Sequence, residues 1–343
     1  LDDTSGSVGP LAWRAADLMP AENNRKIYTS TDKQSAGVEF EWSNLTAAQK
    51  TAINSQEVDY IRGDQSNEGI QYRSRISTLG DIINSDPIYS GKENFAYYSL
   101  EMSGTSSTYY AYLTGTTKDW QKGSRTPALY VGANDGMLHA FNKDGEELFG
   151  YIPKTLISAL PALTKKAYEH RYYVDGTPSY GDAYIDYDGI GKRWGTALVG
   201  VLGGGGKGIF ALDISDPTNF DEDDVLWDLD DSYLPDLGYS FSQPSIVKLA
   251  NGAWGAVFGN GYNSANHEAV LYIVNLETGL LIKEIHTKAF GTSASSNEGN
   301  DSTMSMTRMM IVSSHLGAKP ATRPMTMPPK LAITTTTTPT KNE

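Results

Sequence analysis

The chain has 343 residues, a formal net charge of −13 and no cysteine. The acidic balance argues against nucleic acid and anionic membrane as main partners, and the missing cysteine excludes disulfides, thiolate chemistry and cysteine–zinc sites. The most apolar window, residues 196–214, is interrupted by Lys207 and a run of glycines, so it predicts a buried hairpin rather than a membrane span.

Residues 1–75 form a lead-in segment with two short predicted helices. Residues 44–53 have an alanine-rich interior and an Asn or Thr cap, and residues 56–62 follow as a second helical piece. The first residues are not a charged-then-apolar leader, so we expect the chain to have been cut from something longer.

Residues 126–152 have the pattern of three consecutive strands. An apolar run at 128–131 precedes Asn134, Asp135 and Gly136, which predict a two-residue hairpin turn with positive φ angles. A partner strand follows at 137–141, and residues 142–145 predict a second turn before a strand at 147–152. Three antiparallel strands joined in this way make up most of one β-propeller blade.

The same unit returns twice. Strand pairs are predicted at 195–202 with 209–214 and at 255–262 with 269–276, and each unit begins with a proline-led strand after Pro87, Pro178 or Pro244. The glycine run at 203–208 is interpreted as a flexible turn, and residues 154–170 as a helical insertion broken at Pro161. The pattern predicts an all-β fold, a partial β-propeller with about three to four blades and short helical insertions, over residues 76–290.

The composition changes abruptly at the C-terminal end. Residues 291–343 contain no Phe, Trp or Tyr and include a run of five threonines. Such a segment buries too little apolar surface to order itself, so disorder is predicted. Because a fourth proline-led unit is due there, a reading-frame shift in the source sequence is a second interpretation.

Several long motifs, in the same order, resemble the PilC/PilY proteins of type IV pili. Residues 60–69 and 73–87 resemble that family's lead into its propeller, and residues 129–141 and 239–244 resemble two of its blade motifs. The resemblance covers about residues 40–290. It implies an exported protein of a Gram-negative-type bacterium, at the pilus tip, cell surface or outer membrane, that promotes pilus assembly and adhesion.

The resemblance also implies partners and a metal. The expected partners are pilin or minor pilin subunits and a host or abiotic surface. Members of the family often bind calcium through an acidic loop, and that loop is not found in this chain beyond Phe290. Calcium is therefore expected only in the intact protein.

Arg62, Gly63 and Asp64 spell the tripeptide that integrins recognise. Three-residue matches arise often by chance, and Gly63 followed by Asp64 is also a simple turn. A structural role is the preferred interpretation, with a binding role as the alternative.

Ten carboxylates lie between Asp213 and Asp236, and calcium requires such oxygen ligands. Asp228, Asp230 and Asp231 are the candidate ligands. No window has the alternating spacing with a central glycine, and the alternation with Trp227 and Leu229 predicts a strand with one solvated face. The sequence therefore predicts no metal site here.

The sequence offers no nucleophile–base pair and no histidine cluster, and His139 is interpreted as a satisfied sheet position. A non-enzymatic surface-recognition protein is the leading interpretation. Two alternatives stay open. The strand motif at 134–141 resembles that of quinoprotein (PQQ-type) propeller dehydrogenases, and a periplasmic β-propeller scaffold also fits the pattern.

Overall fold

The computed structural model describes residues 13–31, 37–99 and 108–286. The predicted disordered or frame-shifted tail at 291–343 lies outside these residues. Two α-helices, α1 (Ala47–Ala52) and α2 (Ser55–Arg62), occur in the lead-in, and α3 (Tyr109–Thr114) follows later. In the part of the chain that is described, no helix is long and apolar enough to cross a membrane.

Helix α1 lies inside the predicted range 44–53 but begins three residues later, and α2 begins one residue before the predicted range 56–62 and ends with it. Thr46 caps α1 and Asn54 caps α2, each in a capping box with the residue three positions on. Helix α2 ends at Gly63, whose φ of 129° suits a residue without Cβ.

Fourteen strands are present in the described residues. Their bounds are β1 (Ile27–Thr29), β2 (Val38–Glu39), β3 (Ile88–Ser90), β4 (Ala128–Gly132), β5 (Leu138–Phe141), β6 (Glu147–Ile152), β7 (Ser179–Asp186), β8 (Lys192–Val201), β9 (Gly208–Asp213), β10 (Val225–Asp230), β11 (Ser245–Lys248), β12 (Trp254–Gly259), β13 (Val270–Asn275) and β14 (Leu281–His286).

The strands form three sheets. Sheet I has the order β2-β1-β6-β5-β4-β3, sheet II β10-β9-β8-β7 and sheet III β11-β12-β13-β14. The pairing of β1 with β6 is parallel, and the other strand pairs within the sheets are antiparallel. Pro87, Pro178 and Pro244 each lie directly before the first strand of a consecutive four-stranded unit, as predicted.

The lead-in is integrated with the sheets. Strands β1 and β2 extend sheet I, and the side chains of Phe40 and Val58 are fully buried in the same cluster as Tyr130 and Phe149 of sheet I. A second buried cluster lies between sheets II and III. It includes aromatic residues of the strap, which we define as residues 91–99 and 108–127 between β3 and β4.

Three local predictions are wrong. The turn at Asn134–Asp135–Gly136 is a three-residue loop closed by a bond from the Ala133 N–H to the Met137 carbonyl, and only Gly136 has a positive φ. The insertion after β6 consists of two 3-10 turns, Lys154–Leu156 and Leu160–Thr164. Pro161 lies in the first turn of the second piece, where its missing N–H costs nothing, so the break precedes it.

The third wrong prediction concerns β10, which has no solvated face where Asp228 lies. That side chain is fully buried, and its Oδ2 accepts bonds from the Tyr151 hydroxyl and the Lys154 backbone N–H, both at 2.8 Å. The glycine run after β8 is also buried in part. A Cβ on Gly205 would lie 1.7 Å from the Tyr173 carbonyl oxygen, so close backbone packing requires glycine there.

Candidate functional site

A chain of buried charges joins the lead-in to sheet I. Arg25, just before β1, makes a two-pronged ion pair with Glu147 at 2.7 Å for each bond. The same carboxylate contacts Nδ1 of His139 at 2.7 Å, and Nε2 of His139 lies 3.1 Å from Asp135. Asp135 in turn accepts a 2.7 Å bond from the Gly80 N–H. We call Arg25, Asp135, His139 and Glu147 the charge cluster.

The charge cluster is neutral as a whole because it holds two cations and two anions. Burial by itself lowers the pKa of His139, but Asp135 and Glu147 overcome this effect and raise that pKa to about 9. Burial raises the pKa of Glu147, but hydrogen bonds from Arg25 and His139 overcome it and lower the pKa to about 2. His139 is therefore charged at neutral pH, and its role is to hold two carboxylates together.

A cleft of about 370 Å³ opens beside the charge cluster. One wall is the irregular segment 73–81 that leads into sheet I, and Asp135 of the charge cluster lies on the opposite side. We call this cavity the Arg73 cleft. Its lining residues are Tyr60, Ile61, Arg73, Ser74, Arg75, Ile76, Ser77, Thr78, Leu79, Gly80, Asp81, Asn134, Asp135, Leu163 and Tyr168.

Two arginines of the cleft are stacked on tyrosine rings. The guanidinium carbon of Arg73 lies 4.1 Å from the centre of the Tyr168 ring, and that of Arg75 lies 3.7 Å from the centre of the Tyr60 ring. Arg75 also pairs with Glu68 at 2.7 Å. Stacking and hydrogen bonds fix both side chains in place, so they stiffen the wall of the cleft.

The three residues of the integrin-type tripeptide do not form one exposed surface, because Arg62 is buried. Arg62 is buried and donates from Nη1 to the Phe40 carbonyl at 3.1 Å and from Nη2 to the Arg25 carbonyl at 3.3 Å. Asp64 accepts bonds from the backbone and hydroxyl of Ser66. The Arg62 guanidinium thus ties α2 to the lead-in strands, which is the geometry of a structural residue.

The three candidate metal ligands do not converge. Asp228 faces Tyr151 and the Lys154 N–H, Asp230 pairs with the Lys154 ammonium group, and Asp231 lies 3.7 Å from the Lys207 ammonium. Burial raises the pKa of Asp228 to about 6 against the opposing effect of Lys154. Among the described residues, no group of three or more His, Asp or Glu side chains is placed to hold a metal ion.

The sequence places His139 in a strand but does not show which side chains it contacts. Glu147 lies eight residues further on in the neighbouring strand, and the β5–β6 register that brings them together is visible in the hairpin pattern. Arg25 lies 122 residues from Glu147 and reaches it through the parallel pairing of β1 with β6. No local sequence signal predicts that pairing.

Comparison with known proteins decides the family. The PilY1 beta-propeller domain family model matches residues 79–304. The type IV pilus biogenesis factor PilY1 of Pseudomonas aeruginosa strain PAK is 40% identical over 303 residues, which are 81% of this chain and 25% of that protein. The chain belongs to the PilY1 family. The resemblance inferred from the sequence motifs is thereby confirmed.

The chain is also similar to other PilY1 proteins. A PilY1 homolog of Xylella fastidiosa strain Temecula1 is 41% identical over 240 residues, which are 68% of this chain and 16% of the homolog. The crystal structure of the Pseudomonas aeruginosa PilY1 C-terminal domain is 41% identical, covers 49% of this chain and 32% of that one, and has a TM-score of 0.41. This chain spans about a quarter of the length of the Pseudomonas PilY1 proteins it matches.

Proposed function

We propose that this chain is the propeller-bearing part of a type IV pilus biogenesis factor that acts by binding rather than by catalysis. The observation that carries the proposal is the 40% identity to PilY1 over 81% of the chain. The proposed location is the cell surface, at the pilus tip or outer membrane. The proposed partners are pilin or minor pilin subunits and, for adhesion, a host or abiotic surface.

We further propose that sheets I, II and III are three consecutive blades. Two facts support this assignment: each unit starts with a proline-led strand, and β7 of sheet II packs beside β11 of sheet III, where Gly181 faces Ile246. First strands that lie side by side are expected around the axis of a propeller. The described residues do not fit a calcium site, so calcium in the intact protein would need ligands from elsewhere.

A chimaera tests the pilus function. Residues 13–286 of this chain, which include Arg25 of the charge cluster, would replace the matching segment of PilY1 in Pseudomonas aeruginosa strain PAK, and pilin would be measured in the fraction sheared from the cells. We expect the chimaera to restore sheared pilin to a strain lacking PilY1 and to be retained on the pili. An exported, stable chimaera that leaves the cells without pili would contradict the proposal.

The quinoprotein alternative has its own test. The chain would be incubated with pyrroloquinoline quinone and calcium, then desalted and examined by absorption spectroscopy. We expect no retained chromophore. A tightly bound quinone would overturn the binding-only function.

The periplasmic scaffold is tested by shearing the pili from the cells. Absence of the protein from the sheared pili would favour that alternative.

A further inference from the structure

Arg73 is the cation of the cleft that is not paired with a carboxylate of the described residues. Its Nε donates to the Leu163 carbonyl at 3.2 Å, its backbone N–H donates to the Thr164 carbonyl, and its guanidinium lies over Tyr168. Across the described residues, no carboxylate comes within 4 Å of it. The side chain is half-buried and held in place, so it presents a fixed positive charge to the cleft.

Three other fixed arginines of the molecule are paired with a carboxylate. Arg25 pairs with Glu147, Arg75 with Glu68 and Arg193 with Asp213, each at 2.7 to 2.8 Å. Arg62 and Arg125 also lack a carboxylate partner, but both are buried and donate to oxygens of the protein. Arg73 differs from them because it is half-buried and lines a cleft. A positioned guanidinium with open N–H groups is suited to a carboxylate, which it contacts through charge-assisted hydrogen bonds.

The two aspartates of the cleft already have hydrogen-bond partners within the protein. Asp135 is bound to His139 at 3.1 Å and to the Gly80 N–H, and Asp81 is bound to His170 at 2.8 Å and to the Asn134 side chain at 3.2 Å. Asp135 is thus paired within the charge cluster, whereas the side chain of Asp81 is half exposed. An incoming carboxylate would find Arg73 as the cation to pair with.

The rest of the lining is suited to aliphatic side chains. Ile61, Leu79 and Leu163 line the cavity, and Ile76 stands fully exposed at its rim. A cavity of about 370 Å³ lies at the small end of the range of ligand pockets, roughly 300 to 1,000 Å³, so it accommodates a few residues rather than a folded domain.

We propose that the Arg73 cleft binds a short polypeptide segment of a partner that carries a carboxylate next to aliphatic side chains, with Arg73 as the anchor. The inference rests on the proposed function only in taking the partner to be a protein. The aliphatic wall with a single unpaired guanidinium favours this ligand over phosphate-rich polymers, which require several cations.

Peptide binding to the whole chain tests the inference. The probes are a fluorescein-labelled, amidated pentapeptide Ser-Ile-Glu-Leu-Ser and its counterpart with Gln in place of Glu, measured by fluorescence anisotropy. We expect the Glu peptide to bind roughly tenfold or more tightly than the Gln peptide, since a hydrogen bond to a charged group has this effect. Arg73→Gln should abolish the difference, and Arg73→Lys should retain part of it.

Matched controls separate the anchor from general charge and from folding. Arg14→Gln removes the same charge from an exposed site outside the cleft and should leave both affinities unchanged. Ile76→Ser alters an exposed side chain on the rim and should weaken the Glu peptide severalfold without affecting the fold. This second variant keeps the test decisive if Arg73→Gln unfolds the protein.

Three results would overturn the inference. These are equal binding of the Glu and Gln peptides, an unchanged preference in Arg73→Gln, or full competition by inorganic phosphate alone, which would indicate a general anion site. The chimaera assay gives an independent readout: restored pili with no peptide preference would remove this inference and leave the proposed function standing. Peptide preference without restored pili would do the reverse.

Discussion

His139 occupies the middle of the charge cluster and makes the stability of the protein depend on pH. Its folded-state pKa of about 9 lies above the ordinary value of 6.5. Protonation therefore stabilises the fold, fully below pH 6.5, and this contribution is lost as the pH rises through 9. A shift of this size corresponds to about 3 kcal/mol.

We expect thermal melts of the protein to show a marked loss of stability between pH 6.5 and 9. His139→Gln, which cannot bind a proton in this range, should be less stable at pH 6 and should have a much flatter profile. Equal slopes for the two proteins would show that His139 does not cause the loss.

Arg62 is expected to act in folding. Arg62→Ala removes two hydrogen bonds to buried carbonyl groups and should destabilise the protein by about 2 to 3 kcal/mol in urea unfolding. Asp64→Ala should cost less than about 1 kcal/mol, because its side chain contacts only the exposed Ser66. Loss of surface adhesion in both variants with unchanged stability would instead support recognition of the tripeptide.

At the scale of elements, the strap is fixed to sheet II by a buried ion pair. Lys122 lies 2.8 Å from Asp182, and both side chains are fully buried. Burial lowers the pKa of Lys122, and Asp182 partly offsets this. The ring of Tyr109 lies 4.7 Å from that of Trp194, and its hydroxyl donates to Asp182 at 2.7 Å. The strap is thus held by both charge and aromatic packing.

A double-mutant cycle tests this attachment. Lys122→Met leaves Asp182 without its closest cation and should destabilise the protein by about 3 to 5 kcal/mol. Adding Asp182→Asn should recover part of the loss, because the remaining group is neutral and its one amide oxygen still accepts a bond from either Tyr109 or Thr196. Strictly additive effects in urea unfolding would rule out direct coupling between the two charges.

The sequence predicts elements well where the signal is local. Pro87, Pro178 and Pro244 mark the starts of the three units, and Thr46 and the residues after Asn54 mark the helices. It failed for β10, where alternating Asp and apolar residues imitate a solvated strand, because the partner that buries Asp228 is Tyr151 of another sheet. The Arg73 cleft was likewise not predictable, since its two sides are more than fifty residues apart in sequence.

At the scale of the whole molecule, side-chain hydrogen bonds connect neighbouring sheets. Tyr151 of sheet I bonds to Asp228 of sheet II at 2.8 Å, and the Trp227 indole of sheet II donates to the Leu276 carbonyl next to sheet III at 2.9 Å. On sheet III the last strand of the described residues is β14, with no strand paired to its outer edge, and Leu280, Leu281 and Ile282 are exposed there.

An edge of this kind promotes pairing with another chain. We therefore expect residues 1–343 alone to be marginally soluble or to self-associate, with the apparent mass in light scattering rising with concentration. Ile282→Lys should shift the equilibrium towards monomer by placing a charge on the edge strand. A monodisperse monomer at all concentrations would contradict this expectation.

The parallel pairing of β1 with β6 limits where recombination between related genes can join this domain to a different lead-in. The match to the propeller family model starts at residue 79, but the Tyr28 hydroxyl contacts the Phe220 carbonyl, and the Gly37 N–H contacts the Glu222 carbonyl near sheet II. A recombination breakpoint at residue 79 would combine sheets with a lead-in shaped for other partners. Exchange of this domain between relatives should therefore be viable only when the breakpoint falls before Arg25, so that the charge cluster travels intact.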